Sequence, residues 1–338
     1  MNDLQKFISL LEDSPLFKRF LQSTPFSSRE LIVLLYSAPD RYKEHTIKKR
    51  NNRGLRLISQ PTSEIKFMQR LLIASELSDL PIHPCATAYI KGKSIADHAR
   101  IHANNRYLLK LDFRDFFHSI SEKTVLYCLS RDTNFTPVEL WAIVNILCRR
   151  DRSSGNLSLS IGAPSSPHLS NYILYEFDEA LNNFCNSIDV IYTRYADDLA
   201  FSSSKPKVLD LVYKFVQDFL TEHEYLNLFL NSEKTINVSK KHKRSLVGLV
   251  LSNTGSISIG REEKRKIRAM LHKYHYGNLN LADTNKLRGQ LAFLLSIDKE
   301  FVTSLCEKYN IAKVADIVKV SEEDGECHET TIGDDFPF

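Results

Sequence analysis

The sequence has no long apolar run. No stretch approaches the roughly 18 to 20 apolar residues that a membrane-spanning helix requires, so a membrane protein is not expected. Cysteine is sparse and scattered: Cys85, Cys128, Cys148, Cys185, Cys306 and Cys327 include no CxxC pair. Disulfide frameworks and structural zinc sites need clustered thiols, so free thiols in a reducing cytoplasm are the expectation. Glycine and proline number only 11 each in 338 residues, which excludes collagen-like and low-complexity chains. No internal repeat is visible. The opening stretch MNDLQKFISLLEDSPLFKRF carries Asp3, Glu12 and Asp13 and no small-residue cleavage site, so it reads as an amphipathic helix rather than a signal peptide.

What remains is a globular chain long enough for one large lobed domain or two domains. Its net charge is +4. That figure understates the body, because Ser321 to Phe338 holds seven acids and no Lys or Arg. A basic body suits a polyanionic partner but does not by itself identify one.

The order of elements is legible. Residues 1–45 suggest two or three short helices. Residues 46–62 suggest a strand pair around a basic turn, the second strand being the alternating LRLIS. Ile65, Met68, Leu71, Leu72 and Leu77 recur at helical spacing. In YLLKLDF, residues 107–113, Leu109, Leu111 and Phe113 share one face, and Lys110 and Asp112 share the other, which is expected to be open. Residues 122–150 and 166–186 read as helices. Residues 189–203 read as two apolar strands around a tight turn, and 206–224 as an amphipathic helix. A short strand pair at 245–260 precedes basic helices reaching about Val318. The acidic remainder is expected to be disordered.

The turn of the 189–203 hairpin is YADD, Tyr195 to Asp198. Adjacent carboxylates are most often a solvated turn. Here the flanking IYTRY and LAFSS are apolar enough to be buried, and acids at a buried tip are costly unless cations neutralise them. With Asp112 from the neighbouring strand, three carboxylates offer hard Mg²⁺ ions their preferred oxygens. Two such ions about 3.5–4 Å apart would suit in-line phosphoryl transfer, activating the attacking hydroxyl and stabilising the leaving oxygen.

LDFRDFF, LSIGAPSSPHLSN, YADD, LNLFLNSEKT and SLVGLVLS stand in the order and spacing of the palm motifs of reverse transcriptases, and over residues 45–260 the chain resembles that family. The resemblance implies an α/β (α+β) right-hand polymerase. Its palm is an antiparallel sheet packed on helices, at residues 107–250. Fingers would take 46–106 and part of 130–165, a helical thumb 251–318, N-terminal helices 1–45 and a tail 319–338. It implies that Asp112 and Asp197 hold two Mg²⁺ ions, with Asp198 beside them. The backbone of Phe113, Arg114, Asp115 and Phe116 would cradle the triphosphate, and Phe117 would be the steric gate against a ribose 2′-OH. For Phe113 and Phe116 side chains, core packing is the favoured reading, and for Asp115 a surface acid is an equal alternative. Arg56, assisted by Arg53, would clamp the triphosphate. Gly162 in GAPSSP would allow close backbone approach to template base and nucleotide, and Lys234 in NSEKT would protonate pyrophosphate. Ile161 stands where many of these polymerases have Gln, so a sugar contact from that side chain is not expected. Lys264, Arg265, Arg268 and Lys273, in REEKRKIRAMLHKYH, would follow the nucleic-acid backbone.

Within the family, the short chain and APSSP resemble bacterial retron enzymes. Their Asn-Ala-x-x-His element corresponds to HARIH, which keeps Ala99 and His102 but has His98 for Asn. Their Val-Thr-Gly corresponds to Leu246, Val247 and Gly248, where only the glycine agrees. Without the resemblance, His98 and His102 read as an i, i+4 pair on an exposed helix. A retron enzyme would bind a cognate structured noncoding RNA and dNTPs, and prime from an internal guanosine 2′-hydroxyl. It would make small branched single-stranded DNA (msDNA) and serve anti-phage defence with an effector protein, without a membrane partner. Alternatives are an abortive-infection or other bacterial reverse transcriptase, or a catalytically idle RNA-binding component of a defence complex.

Overall fold

A computed structural model describes residues 3–48 and 54–317. Arg53, Cys327 and the acidic tail lie outside the described residues. The chain opens with α1 (Asp3–Asp13), α2 (Pro15–Ser23) and α3 (Ser28–Ser37). Ser14 and Ser27 begin α2 and α3 by accepting backbone N–H bonds, and Glu30 returns the bond to Ser27 in a capping box. The expected strand pair follows as β1 (Tyr42–Lys48) and β2 (Leu55–Pro61), antiparallel over seven residue pairs. Helix α4 (Ser63–Leu72) runs on into a π-helical turn, Ile73–Leu77. Then come α5 (Ile95–Ala103), β3 (Tyr107–Asp112) and the single-turn α6 (Phe116–Ser119).

The helix expected over 122–150 is two helices, α7 (Glu122–Asp132) and α8 (Pro137–Leu147). Thr136, Pro137 and Glu139 form an N-cap, a first-turn proline and a capping box, which restart the helix. Strands β4 (Arg149–Arg150) and β5 (Leu157–Ser158) make a small ribbon. The helix expected over 166–186 divides at Leu174 into α9 (Ser166–Ile173) and α10 (Tyr175–Ser187). The hairpin β6 (Ile191–Tyr195) and β7 (Asp198–Ser203) precedes α11 (Val208–Glu222). Strand β8 (Ile236–Ser239) was not foreseen. Strands β9 (Arg244–Leu246), β10 (Leu249–Leu251) and β11 (Ile257–Ser258) form a three-stranded sheet. Helices α12 (Gly260–His275), α13 (Leu281–Leu295) and α14 (Lys299–Lys308) follow.

The central sheet has the order β6-β7-β3-β8, and its neighbouring strands are all antiparallel. One face, with Leu109, Leu111, Leu199, Phe201 and Tyr192, is buried in a core shared with α1–α4 and α7–α11. Each such side chain contributes roughly 1.5–3 kcal/mol by burial. A one-residue slip would turn the whole set outward, so this face fixes the register.

The other face is less open than its polar residues suggest. Leu108 enters a second core with α5, the β9–β11 sheet and helices α12–α14, and Asp112 is only 6% exposed. His98 and His102 do not form an exposed pair. Both are fully buried where α5 packs on this face. His102 Nδ1 and Nε2 lie 2.7 Å from Ser202 Oγ and Thr193 Oγ1, and His98 Nδ1 lies 3.0 Å from Thr87 Oγ1 and 2.8 Å from Thr193 Oγ1. Burial lowers both imidazoles, His102 to about 3, so both are neutral.

The five described cysteines, Cys85, Cys128, Cys148, Cys185 and Cys306, are free thiols as expected. Among the described residues, no helix is long and apolar enough to cross a membrane.

Candidate active site

A cleft of about 1440 Å³ opens between β2, the acidic end of β3, the β6–β7 turn and the Val247–Gly248 turn. Tyr195 pairs with Asp198 across the hairpin, leaving Ala196 and Asp197 as a two-residue turn. Asp112, the last residue of β3, stands directly opposite Asp198 on β7. Opposed residues in an antiparallel pair share a face, so both carboxylates enter the cleft, with Asp197 at the adjoining tip. The Phe113 N–H donates to the Asp197 carbonyl at 3.4 Å.

The two acids of the hairpin, Asp197 and Asp198, resist ionisation. Burial, then the charges of Asp198 and Asp112, push Asp197 up to about 6. Burial also raises Asp198, an effect partly offset by Lys110. Two ammonium groups provide the local countercharge. Lys234 Nζ donates to both Asp112 oxygens, at 2.8 and 2.9 Å, and Lys110 Nζ lies 4.0 Å from Asp198. Among the described residues no group of three or more His, Cys, Asp or Glu is gathered tightly enough to hold a metal ion as placed. The donor set nevertheless fits a hard divalent cation: three oxygen-bearing acids whose repulsion a cation would relieve, one already gripped by an ammonium.

The other expected residues divide. Arg56 lines the cleft from β2, and the half-buried Phe117 lines it from α6. Phe113 and Phe116 also border it, but their rings stack at 5.6 Å and belong to the core, as the packing reading expected. Asp115 is exposed in a left-handed conformation, φ 40°, just before α6. Arg114 donates its backbone N–H to Phe229 and a guanidinium N–H to Ser232 Oγ at 3.4 Å.

Gly162 lies against the chain's own backbone. Its close approach is to β2: at φ 109° a Cβ there would sit 3.1 Å from the Ser59 carbonyl. The neighbouring Ile161 lines the cleft, and Gly162 itself is exposed. The basic helix α12 also divides. Lys264 pairs with Asp298, and Lys264 and Arg268 lie over the Phe301 ring at 4.6 and 5.0 Å, so Lys264 is committed to α14. Arg265 and Lys273 are exposed.

Sequence reasoning missed the group behind the turn. Arg194 on β6 and Asp178 on α10 are both 0% exposed. The guanidinium bonds Asp178 through Nε and Nη2, the latter at 2.6 Å, and bonds Asn171 of α9 through Nη1 at 3.0 Å. Tyr192 also donates to Asp178, at 2.6 Å. The available signal was parity: Arg194 lies two residues from Tyr192, on the core-facing side of an apolar strand.

Comparison with known proteins agrees with this arrangement. Residues 47–251 match the family model described as Reverse transcriptase (RNA-dependent DNA polymerase). The retron Ec83 reverse transcriptase of Escherichia coli is 39% identical over 297 residues, covering 86% of this chain and 94% of that protein. The retron Ec86 enzyme of the same species is 30% identical over 85% of this chain and 88% of its own length. The retron Ec73 enzyme, also from Escherichia coli, is 32% identical over 80% and 88%. With a family match across most of its length and the carboxylates of β3 and the β6–β7 turn facing one cleft, the chain belongs to the reverse transcriptases, as a bacterial retron-type RNA-directed DNA polymerase.

Proposed function

We propose that this polymerase copies part of a cognate structured noncoding RNA into small branched single-stranded DNA, with Asp112, Asp197 and Asp198 as its catalytic carboxylates. The observation that carries the reading is Asp112 opposite Asp198 with Asp197 at the adjoining turn, all facing one cleft. These three would hold two Mg²⁺ ions, which when bound supply charge neutralisation for attacking and leaving oxygens. Lys234, already on Asp112, would hold a proton for departing pyrophosphate. Arg56 would grip the triphosphate from β2, since a guanidinium is planar, permanently charged and bidentate. Phe117 would exclude the ribose 2′-OH. Arg265, Arg268 and Lys273, all exposed on α12, would follow a nucleic-acid backbone.

In this reading, residues 46–106 with part of 130–165 are fingers, 107–250 palm and 251–318 thumb. Priming comes from an internal guanosine 2′-hydroxyl, and the RNA–DNA product, held by the protein, acts with an effector in anti-phage defence in the cytoplasm. The test is to express the chain with its native flanking DNA and sequence the nucleic acid that copurifies, with Asp197→Ala as control. A discrete short DNA joined to RNA, released by debranching enzyme and absent from the control, is expected. Random or protein-linked DNA would move the reading to an abortive-infection type, and RNA without DNA to an idle binding component.

A further inference from the structure

A two-residue β-hairpin turn needs positive φ at its first central residue, a position that favours Gly, Asn or Asp. Here that residue is Ala196, at φ 56°. Alanine has a Cβ and no side-chain hydrogen bond with which to stabilise this conformation. The turn is therefore strained, and surrounding contacts must hold it.

Arg194 supplies such a contact. Its Nη1 donates to the Ala196 carbonyl at 3.2 Å and to Asn171 Oδ1 at 3.0 Å. The other side of the guanidinium is locked on Asp178. Asn171 is fixed in turn, its Nδ2 donating to the Ala88 carbonyl at 3.0 Å. The Arg194 backbone is also fixed: its N–H donates to Cys85, and its carbonyl accepts from Thr87 N–H and Oγ1. A single rigid, dry group thus reaches from α9 and α10 to the peptide preceding Asp197.

We infer that Arg194 is a positioning residue for the catalytic turn, holding Ala196 left-handed so that Asp197 is presented to the cleft. The inference rests on the proposed catalytic role of Asp197. It separates Arg194 from an ordinary buried ion pair, because only the Nη1 arm reaches the turn. A lysine there can pair with Asp178 but cannot also grip Asn171 and the Ala196 carbonyl.

The test uses the full chain and single-nucleotide incorporation on a primed RNA template, followed by rapid quench over a Mg²⁺ series. Burst amplitude reports the folded active fraction, and burst rate reports the chemistry. Arg194→Lys is expected to keep the amplitude, lower the rate about 10- to 100-fold and raise the half-saturating Mg²⁺ several-fold. Adding Ala196→Gly, which relieves the strain, is expected to recover much of that rate. A folded Arg194→Lys with native rate and Mg²⁺ requirement would overturn the inference. So would a loss confined to amplitude, or no recovery with Ala196→Gly.

Should Arg194→Lys not fold, Asn171→Ala decides the matter, because it leaves the Arg194–Asp178 pair intact while removing the second anchor of the Nη1 arm, whose bond to Ala196 alone is then too loose to hold the turn. A lower rate and a raised Mg²⁺ requirement are expected, and native values would overturn the inference. Asp197→Ala is run alongside. Activity in that variant would sink the catalytic assignment itself, whereas an inactive Asp197→Ala beside a native-like Arg194→Lys would sink only the role of Arg194.

Discussion

Two groups of charges lie on opposite sides of one hairpin, and they are built on opposite terms. Behind the turn, Arg194 and Asp178 are wholly buried, balanced in charge and bonded at nearly every polar atom. In front, three carboxylates meet two ammonium groups, and Asp197 and Asp198 hold their protons more tightly than a free aspartate. A satisfied buried pair supports the fold locally, since breaking it would strand a charge. An unsatisfied cluster weakens the fold and is retained where a cation or substrate completes it. The contrast distinguishes scaffold from site without reference to any motif.

Four experiments would break or sharpen it. Asp197→Asn should lower DNA synthesis by about 10³-fold or more. Its thermal unfolding in EDTA should be no earlier than native, because a repelling charge is gone. Earlier unfolding would mean the front cluster also supports the fold. Asp178→Asn should show the reverse character, costing about 3–5 kcal/mol in urea unfolding by leaving Arg194 unpaired; a loss below about 1 kcal/mol would erase the distinction. Lys234→Met should lower kcat about 100-fold if its proton is used. Because its side chain is 48% exposed, its stability should change by less than about 1 kcal/mol.

The smallest effect concerns acid. His102 sits near 3 when folded, and its ordinary value is 6.5. A base with a depressed folded value contributes stability above 6.5, and that stability is lost as pH falls. Between pH 6.5 and 5 the loss from His102 is about 2 kcal/mol, and His98 acts in the same direction. Urea midpoints across that range should fall, and His102→Gln should flatten the slope.

The site was largely legible because its chemistry lies in short local patterns. The alternation of YLLKLDF gave the strand and its two faces, and the apolar flanks of YADD gave a buried hairpin. What escaped depends on contacts distant in sequence. Asp178 and Arg194 meet only once α10 packs on β6, and HARIH, with its charged and polar letters, hides two histidines whose partners lie on β6, β7 and the loop at Thr87. Strand β8 is short, at the edge and partly exposed, so its pattern is faint. The break at Thr136–Pro137 was readable, since a capping box marks it. The break at Leu174 has no such residue signal, and its neighbours are ordinary helix formers. The approach of Gly162 to β2 is another contact distant in sequence that the GAPSSP letters do not reveal.

The pairing of β3 with β7 runs unbroken from Tyr107 opposite Ser203 to Asp112 opposite Asp198. Side chains alternate along both strands, so deleting or inserting one residue within either would send one of these acids into the apolar core. Over this stretch, the gene is expected to accept many exchanges of letter but almost no change of length. Alignment gaps among functional relatives should therefore fall in the connecting loops and stop at the edges of these twelve positions.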